Sequence, residues 1–527
     1  MGTRYEDIKA TLWKAAGTFR GTIDAANYKD FVLSMLFLKY LDDTYKEYLR
    51  DLNEKYKGNE VRIERAKKNL PFVLEDKQRF DYLYDNRFDP KIGEMINTAL
   101  QGIQDGNSEL RGVFRSINFN SESMLGNPQQ KVTKLRTLLE DFKPLCLEPS
   151  QIEIGPGEDP AFVIGDAYEY MIGEFATEAG KKAGSFFTPS MVSELMARLV
   201  TPKPGDSLYD PTCGSASLLI RTARQVDDMD KVAIYGQEMN GSSWSMARMN
   251  LFIHNIHVDT NNIAWGDTLS NPQHLDSDGN LKQFDVIVAN MPFSLDKWAE
   301  GFNPGGQQDG SEDKEKKFKM TASLDKYHRF DWGVPPASKG DWAFLLHMLY
   351  SLRSNGRMAA VVPHGVLFRG AAEGRIRQTV IEKNLLDAVI GLPANLFYGT
   401  SIPACILVFK KNRSTDDILF IDASGKDADG NLRYRKDKNQ NKLDEKHIAD
   451  ILEAYRNRVD VERFAHVASQ DEIRSNDFNL NIPRYVDTFE EEEIIDIEEV
   501  QGNIARLKAE IAEVEAQMEK YMKELGL

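Results

Sequence analysis

The sequence has little of what a disulfide-stabilised or metal-binding protein needs. Its 527 residues include only three cysteines, and the wide separation of Cys146, Cys213 and Cys405 excludes a disulfide framework and paired zinc-ligand spacing. His254 and His257 are close in sequence but lack a carboxylate partner motif, so we expect no metal site. The N-terminus lacks a signal-peptide pattern and no apolar run is long enough to span a membrane, which predicts a cytoplasmic protein without membrane contact.

An excess of positive charge is also missing. The chain has 82 acidic and 66 basic residues, for a net charge of -16. A protein that binds DNA alone usually has a basic surface, so DNA binding here would require either a local basic face or a second subunit. A hydrophobic content of 41% over this length predicts a large core and two or three domains.

Three apolar segments are predicted as strands that end beside residues suited to a nucleoside ligand. The first, residues 207–210, leads into a tight loop of small residues, which allows a ligand to approach the backbone. The second ends at Glu238 and the third is followed by Asp267. A carboxylate at such a strand end can accept hydrogen bonds from ribose hydroxyls or from an adenine amino group. A helix N-cap is the alternative role for Asp267.

A fourth predicted strand, residues 284–289, ends in Asn290, Met291, Pro292 and Phe293. Asn290 offers a side-chain carbonyl as an acceptor, and Met291 offers its backbone carbonyl because Pro292 favours an extended conformation before it. Phe293 offers a flat face for stacking. Two acceptors and an aromatic ring could hold the amino group of a flipped-out adenine or cytosine, although four such residues alone also fit a structural turn.

In this order and spacing, the segments resemble the amino-methylating DNA methyltransferases that use S-adenosylmethionine. The closer resemblance is to the modification subunit of type I restriction-modification systems, and it is carried by residues 184–189, 210–216, 236–238, 266–267, 290–293, 362–368 and 396–400. Two positions depart from the family pattern. Met291 stands where the family usually has proline, and the change is tolerable because the implied role uses the backbone carbonyl. Ala216 stands where glycine is common, and its methyl group narrows the loop slightly.

The resemblance implies methyl transfer from S-adenosylmethionine to N6 of a flipped-out adenine in double-stranded DNA, without a metal. It assigns the methionine end of the cofactor to Thr188 and Pro189, with Asp210 and Gly214 around the amino acid and sulfonium. It assigns the ribose to Glu238 and the adenine to Asp267. The implied cofactor-binding residues are Phe187, Thr188, Pro189, Asp210, Thr212, Gly214, Ser215, Glu238 and Asp267, and the implied catalytic residues are Asn290, Met291, Pro292 and Phe293.

Three parts of the chain are predicted. Residues 1–155 form a helical N-terminal domain, because apolar residues recur at helical spacing at Tyr28, Phe31, Met35, Leu38, Leu41, Tyr45 and Leu49. Residues 156–480 alternate strands and helices, as in the Rossmann-like, seven-stranded α/β methyltransferase domain that the resemblance implies. The seven candidate strands centre on Leu208, Ile234, Ile263, Ile287, Ala360, Val389 and Ile406, and the last runs antiparallel in that fold.

Residues 299–340 interrupt the alternation, either as a mobile loop near the target base or as a solvated surface insertion.

The third part, residues 481–527, is predicted to be an acidic helix for partner docking. From Tyr485 to Leu527 there are 13 acidic and 4 basic residues. Apolar residues alternate at steps of three and four from Ile497 to Leu525, which is typical of a coiled coil; docking on the chain's own domain is the alternative. The resemblance implies that the partner is a specificity subunit that reads the DNA sequence. It also implies a second copy of this chain in an M2S1 complex and is compatible with a restriction subunit.

Three other functions fit part of this pattern. A protein-glutamine methyltransferase could use the same four residues, since an amide nitrogen, like the amino nitrogen of a base, is a poor nucleophile. A dinucleotide oxidoreductase shares the arrangement of strand, loop and acid, but the loop here lacks the G-x-G-x-x-G spacing. An inactive scaffold would have no use for Asn290 and Phe293.

Overall fold

The computed structural model describes residues 2–155, 159–179, 187–259, 261–303, 318–397, 400–427, 429–437, 440–488 and 497–526. The chain forms two compact units, Met1–Val486 and Asp487–Leu527. The helices are α1 Tyr5–Gly17, α2 Ala25–Lys55, α3 Glu60–Lys67, α4 Phe80–Asp85, α5 Ile92–Gly106, α6 Glu122–Leu125, α7 Pro128–Phe142, α8 Pro160–Ala179, α9 Ser190–Val200, α10 Ser217–Ala223, α11 Gly241–Ile253, α12 Asp341–Tyr350, α13 Ala371–Glu382, α14 Glu445–Asn457, α15 Gln470–Ser475 and α16 Ile497–Glu524. The strands are β1 Ser207–Asp210, β2 Ala233–Glu238, β3 Ile263–Trp265, β4 Phe284–Asn290, β5 Leu352–Pro363, β6 Leu386–Gly391, β7 Ala404–Lys410, β8 Ile418–Asp422, β9 Arg435–Asp437, β10 Gln440–Lys442 and β11 Ala465–Ala468.

Seven of the first eight helices, all but α3, contribute to one apolar core, in which the long helix α2 packs against α1, α7 and α8. The predicted apolar face of α2 is buried from Tyr28 to Tyr45, while Leu49 is only half-buried. Met249 and Phe252 of α11 belong to the same core, so this helical part packs directly against the part that carries the large sheet. The predicted boundary at residue 155 stays a prediction.

The large sheet has nine strands in the order β11-β8-β6-β7-β5-β4-β1-β2-β3. All seven predicted strands form, and β7 is antiparallel to both of its neighbours, β5 and β6. The sheet is wider than the predicted seven strands because β8 pairs in parallel with β6 and β11 then pairs antiparallel with β8. These two strands cover an edge that would otherwise present the unpaired backbone of β6.

Two apolar cores cover the two faces of this sheet. Helices α9, α10 and α14 contribute to one core, and α12 and α13 contribute to the other. Because both faces are covered, the central strands are continuous apolar runs, which made them recognisable in the sequence. The helix after β1, α10, ends at Ala223.

Residues 318–340 of the predicted insertion pack against the α12 side of the sheet. Phe330 and Arg329 are fully buried there. The Arg329 guanidinium donates to the Asp325 carboxylate and, over 2.6 Å, to the backbone carbonyl of Leu269. This part of the segment is therefore structural; residues 304–317, which hold its polar glycine-rich run, lie outside the described residues.

The second unit contains the predicted C-terminal helix, α16. Its apolar residues are exposed along the predicted seam, from 43% at Val500 to 74% at Leu525. The seam residue Ile497 lies outside the described side chains. None of the helices in the described ranges is long and apolar enough to cross a membrane.

Candidate active site

Most of the predicted site residues lie at the carboxyl ends of β1, β2 and β4. Strand β1 lies between β2 and β4, and all three run parallel. The chain leaves β1 towards β2 and β3 and then returns to the other side of β1 with β4. Such a reversal opens a crevice at the strand ends, where α/β proteins of this type bind ligands.

The loop after β1 folds back on the acid that ends β2. Gly214 and Ala216 both adopt positive φ angles, of 54° and 63°. The Gly214 N–H donates to Glu238 Oε2 over 2.9 Å, and the Asn240 N–H donates to Glu238 Oε1 over 2.7 Å. At Ala216 the family's usual glycine would adopt this conformation without steric cost, so the departure noted in the sequence falls at a strained position.

Asp210 and Glu238 are a pair of acids with raised pKa values. Asp210 is 2% exposed, and burial raises its pKa to about 8, assisted by the charge of Glu238 and opposed by hydrogen bonds from Thr212. Burial also raises the pKa of Glu238. Within the part of the chain that the structure describes, no cationic side chain acts on either carboxyl group. A positively charged ligand would therefore stabilise both ionised acids.

Asn290 presents an acceptor without a donor. Its side chain is largely buried, and Nδ2 donates to Thr188 Oγ1 over 2.9 Å. Its Oδ1 atom is buried and has no hydrogen-bond partner among the described residues. A buried acceptor left unpaired costs about 1–3 kcal/mol. A ligand that donates a hydrogen bond to this oxygen would remove that cost.

The rest of the four-residue segment is held by its surroundings. Met291 is fully buried, and the Ser294 N–H donates over 2.7 Å to Asp341 Oδ1 on the first turn of α12. Phe293 is half-buried and meets Phe397 edge-on, with ring centroids 5.8 Å apart. The segment therefore has a defined position at the end of β4.

Asp267 has a structural role in this state. Its carboxylate accepts hydrogen bonds from the Leu269 N–H at 3.0 Å, from the Ser270 N–H at 3.3 Å and from the Ser270 hydroxyl. It therefore caps the turn after β3; because the turn does not continue into a helix, this differs from the helix N-cap given as the alternative role. The adenine-binding role of Asp267 stays a prediction.

The remaining cofactor residues are divided between two places. Thr212 and Ser215 lie in the β1 loop, where the Ser215 carbonyl accepts a hydrogen bond of 3.0 Å from Asn250. Phe187 and Pro189 line a cavity of about 620 Å³ bounded by α8, α9, α10 and the hairpin of β9 and β10. Asp210, Glu238 and Asn290 do not line this cavity, but Thr188, which lies between Phe187 and Pro189, accepts the hydrogen bond from Asn290 and so links the two places. Residues 184–186 and 398–399 of the family segments lie outside the described residues.

Two exposed apolar residues at the strand ends were absent from the sequence-based set. Met239 follows Glu238 and is 70% exposed, and Trp265 at the end of β3 is 49% exposed. The Trp265 indole N–H donates to the Met239 carbonyl over 3.0 Å. Their position after predicted strands was visible in the sequence, but their exposure depends on the packing around them.

A family model described as N-6 DNA Methylase matches residues 161–494. The chain belongs to the N-6 DNA methylase family. A second model, described as the HsdM N-terminal domain, matches residues 8–142 of this methylase.

The methylase is similar along most of its length to subunits of type I restriction enzymes. The MpnII methylase subunit of Mycoplasma pneumoniae is 31% identical over 94% of this chain and 92% of its own length. The HindI methylase subunit of Haemophilus influenzae is 30% identical over 82% of this chain and 93% of its own length. The crystal structure of a type I methyltransferase subunit from Streptococcus thermophilus is 34% identical, with a TM-score of 0.77, and the match covers 92% of this chain and 100% of that one.

These similarities confirm the predicted family and fold. The methylase is an S-adenosylmethionine-dependent DNA methyltransferase of the type I restriction-modification class. The dinucleotide oxidoreductase and protein-glutamine alternatives do not fit this membership. In the described ranges, no group of three or more potential ligands is placed to hold a metal ion.

Proposed function

We propose that this methylase transfers a methyl group from S-adenosylmethionine to N6 of a flipped-out adenine in double-stranded DNA. The observation that carries the proposal is the buried, unpaired Oδ1 of Asn290 at the end of β4. An exocyclic amino group is the kind of donor that this oxygen lacks. Extruding a base costs a few kcal/mol, and stacking on Phe293 offsets about 1–3 kcal/mol of that.

The buried acids at the neighbouring strand ends fit the cofactor. Asp210 and Glu238 lack cationic partners among the described residues, and S-adenosylmethionine carries an ammonium group and a sulfonium. Glu238 already receives two backbone N–H groups, which hold its oxygens in place for ribose hydroxyls. When bound, the cofactor supplies an electrophilic methyl group.

The catalytic contribution of the protein is orientation. The amino nitrogen of adenine is a poor nucleophile because its lone pair is conjugated with the ring. If Asn290 Oδ1 accepts one amino hydrogen and the Met291 carbonyl accepts the other, the nitrogen is drawn towards a tetrahedral shape with its lone pair directed at the methyl group. In this transfer the methyl carbon–sulfur bond would break as the carbon–nitrogen bond forms, the neutral thioether S-adenosylhomocysteine would leave, and the nitrogen would release one proton to solvent water.

We further propose that a separate specificity subunit supplies sequence recognition and docks on α16. The helix presents exposed apolar residues on one seam, and the C-terminal region is strongly acidic. Such a seam fits a partner helix whose flanking residues are basic. Two copies of this chain would then share one specificity subunit, in a complex that is compatible with a restriction subunit.

The experiment is transfer of labelled methyl from S-adenosylmethionine to DNA, with and without a co-expressed specificity subunit, followed by nucleoside analysis. We expect N6-methyladenine only with the partner and at least about a 100-fold loss in the Asn290→Ala variant. Asn53→Ala, on the exposed end of α2, is the matched control and should retain full activity. Cofactor binding without methylated DNA under either condition would overturn the proposal in favour of an inactive scaffold.

A further inference from the structure

Thr188 joins two distant parts of the chain at the catalytic amide. It lies two residues before α9, whereas Asn290 ends β4, and 102 residues separate them. The Asn290 Nδ2 atom donates to Thr188 Oγ1 over 2.9 Å, in a partly buried setting. This contact uses the nitrogen end of the amide and leaves the oxygen end unpaired.

The orientation of this amide decides whether the site can function. The torsion that turns the Asn290 side-chain amide is broad and roughly two-fold, so its intrinsic energy does not choose between the two orientations. Rotation by a half-turn would direct the NH2 group at the target amino group, and two donors would then face each other. A neighbouring group must therefore select the orientation with Oδ1 towards the base.

A threonine hydroxyl selects the orientation only when its own proton is donated elsewhere. The hydroxyl can accept from Nδ2 or donate to Oδ1, because it has both one donor and two acceptor sites. If its proton is donated to an acceptor on the cofactor, such as the methionine carboxylate, only the acceptor role towards Asn290 remains. Hydrogen bonds linked in this way strengthen one another.

We propose that Thr188 is a positioning residue that holds the Asn290 amide with its oxygen towards the target amino group. The inference rests on the proposed function and assigns Thr188 a role beyond contact with the cofactor. A residue that only contacts the cofactor affects the KM for S-adenosylmethionine. A residue that positions Asn290 affects kcat at saturating cofactor, because the reacting geometry is disturbed after both substrates have bound.

The test compares Thr188→Val and Thr188→Ser in the complete complex with its specificity subunit. Valine retains the shape but removes the hydroxyl, and we expect kcat to fall about 10- to 100-fold while the KM for S-adenosylmethionine changes less than kcat. Serine restores the hydroxyl and should return kcat to within about threefold of the wild type. Calorimetric binding of S-adenosylmethionine and a thermal melt establish that each variant is folded.

Testing Thr188→Val in a protein that also carries Asn290→Asp separates the orientation of the side chain at position 290 from other effects of the substitution. In Asn290→Asp both side-chain oxygens are acceptors, so orientation no longer matters and Thr188→Val should cost less than about threefold in kcat. An unchanged kcat with a raised KM in Thr188→Val, or a failure of serine to restore kcat, would overturn the positioning role. If Asn290→Ala loses methylation while Thr188→Val keeps the kcat of the wild type, the positioning role of Thr188 fails and the proposed function stands. If the wild-type complex forms no N6-methyladenine, the proposed function itself fails.

Discussion

Replacing Asp210 by asparagine is expected to stabilise the cofactor-free methylase while weakening cofactor binding. Burial raises the pKa of Asp210 from its usual 3.8 to about 8, so folding disfavours the charged carboxylate. The folded state therefore loses stability as pH rises above about 4, and the loss is complete above about pH 8. Asparagine is uncharged and retains an oxygen for the 2.9 Å hydrogen bond from the Thr212 N–H.

The size of the effect follows from that pKa. The interval between 3.8 and about 8 corresponds to on the order of 5 kcal/mol at about 1.36 kcal/mol per pH unit. Relaxation of the loop and imperfect replacement of the acid by the amide reduce this, and we expect a gain of about 2 kcal/mol near pH 8.5. For a protein of this size that is a rise in Tm of about 2 °C.

Differential scanning calorimetry at about pH 5 and about pH 8.5, without cofactor, measures this prediction. The advantage of Asp210→Asn should be larger at the higher pH, and Asp51→Asn, an exposed acid on α2, should show no such trend. Addition of S-adenosylmethionine should stabilise the wild type more than Asp210→Asn. A Tm that falls equally at both pH values in Asp210→Asn would show that the buried carboxylate stabilises the fold, which would refute the reasoning.

Three further outcomes are expected. Glu238→Gln should weaken S-adenosylmethionine binding about 10- to 100-fold by calorimetry, because a neutral amide loses a charge-assisted hydrogen bond; unchanged affinity would contradict the ribose assignment. Arg329→Met should lower the free energy of unfolding by about 3–5 kcal/mol in a denaturant titration, since it leaves the Asp325 carboxylate buried without its partner; a change smaller than about 1 kcal/mol would contradict this role of the ion pair. Val514→Asp should reduce specificity-subunit affinity at least about tenfold by calorimetric titration, because it buries a charge in the seam, and should leave the melting of the Met1–Val486 unit unchanged; unchanged affinity would exclude α16 as the docking element.

Several features of the fold were readable from the sequence because they are encoded locally. The central strands of the sheet are apolar on both faces, so each stands out as a short continuous run. The long face of α2 repeats at helical spacing, and α16 alternates steps of three and four. Strand β11 gives no such signal, because it has only four residues and includes His466; it forms at the edge only where β8 offers a partner.

The chemistry of the site was readable as residue types, but its state was decided by tertiary contacts. The sequence by itself determined that Asn290 follows a buried strand and that acids end the neighbouring strands. It did not determine that Asn290 Oδ1 lacks a partner while Nδ2 binds Thr188, that Asp210 is deeply buried, or that Asp267 caps its own turn. The partner of Asn290 lies 102 residues away and burial depends on packing from several elements, whereas the spacing of apolar residues is set within one element.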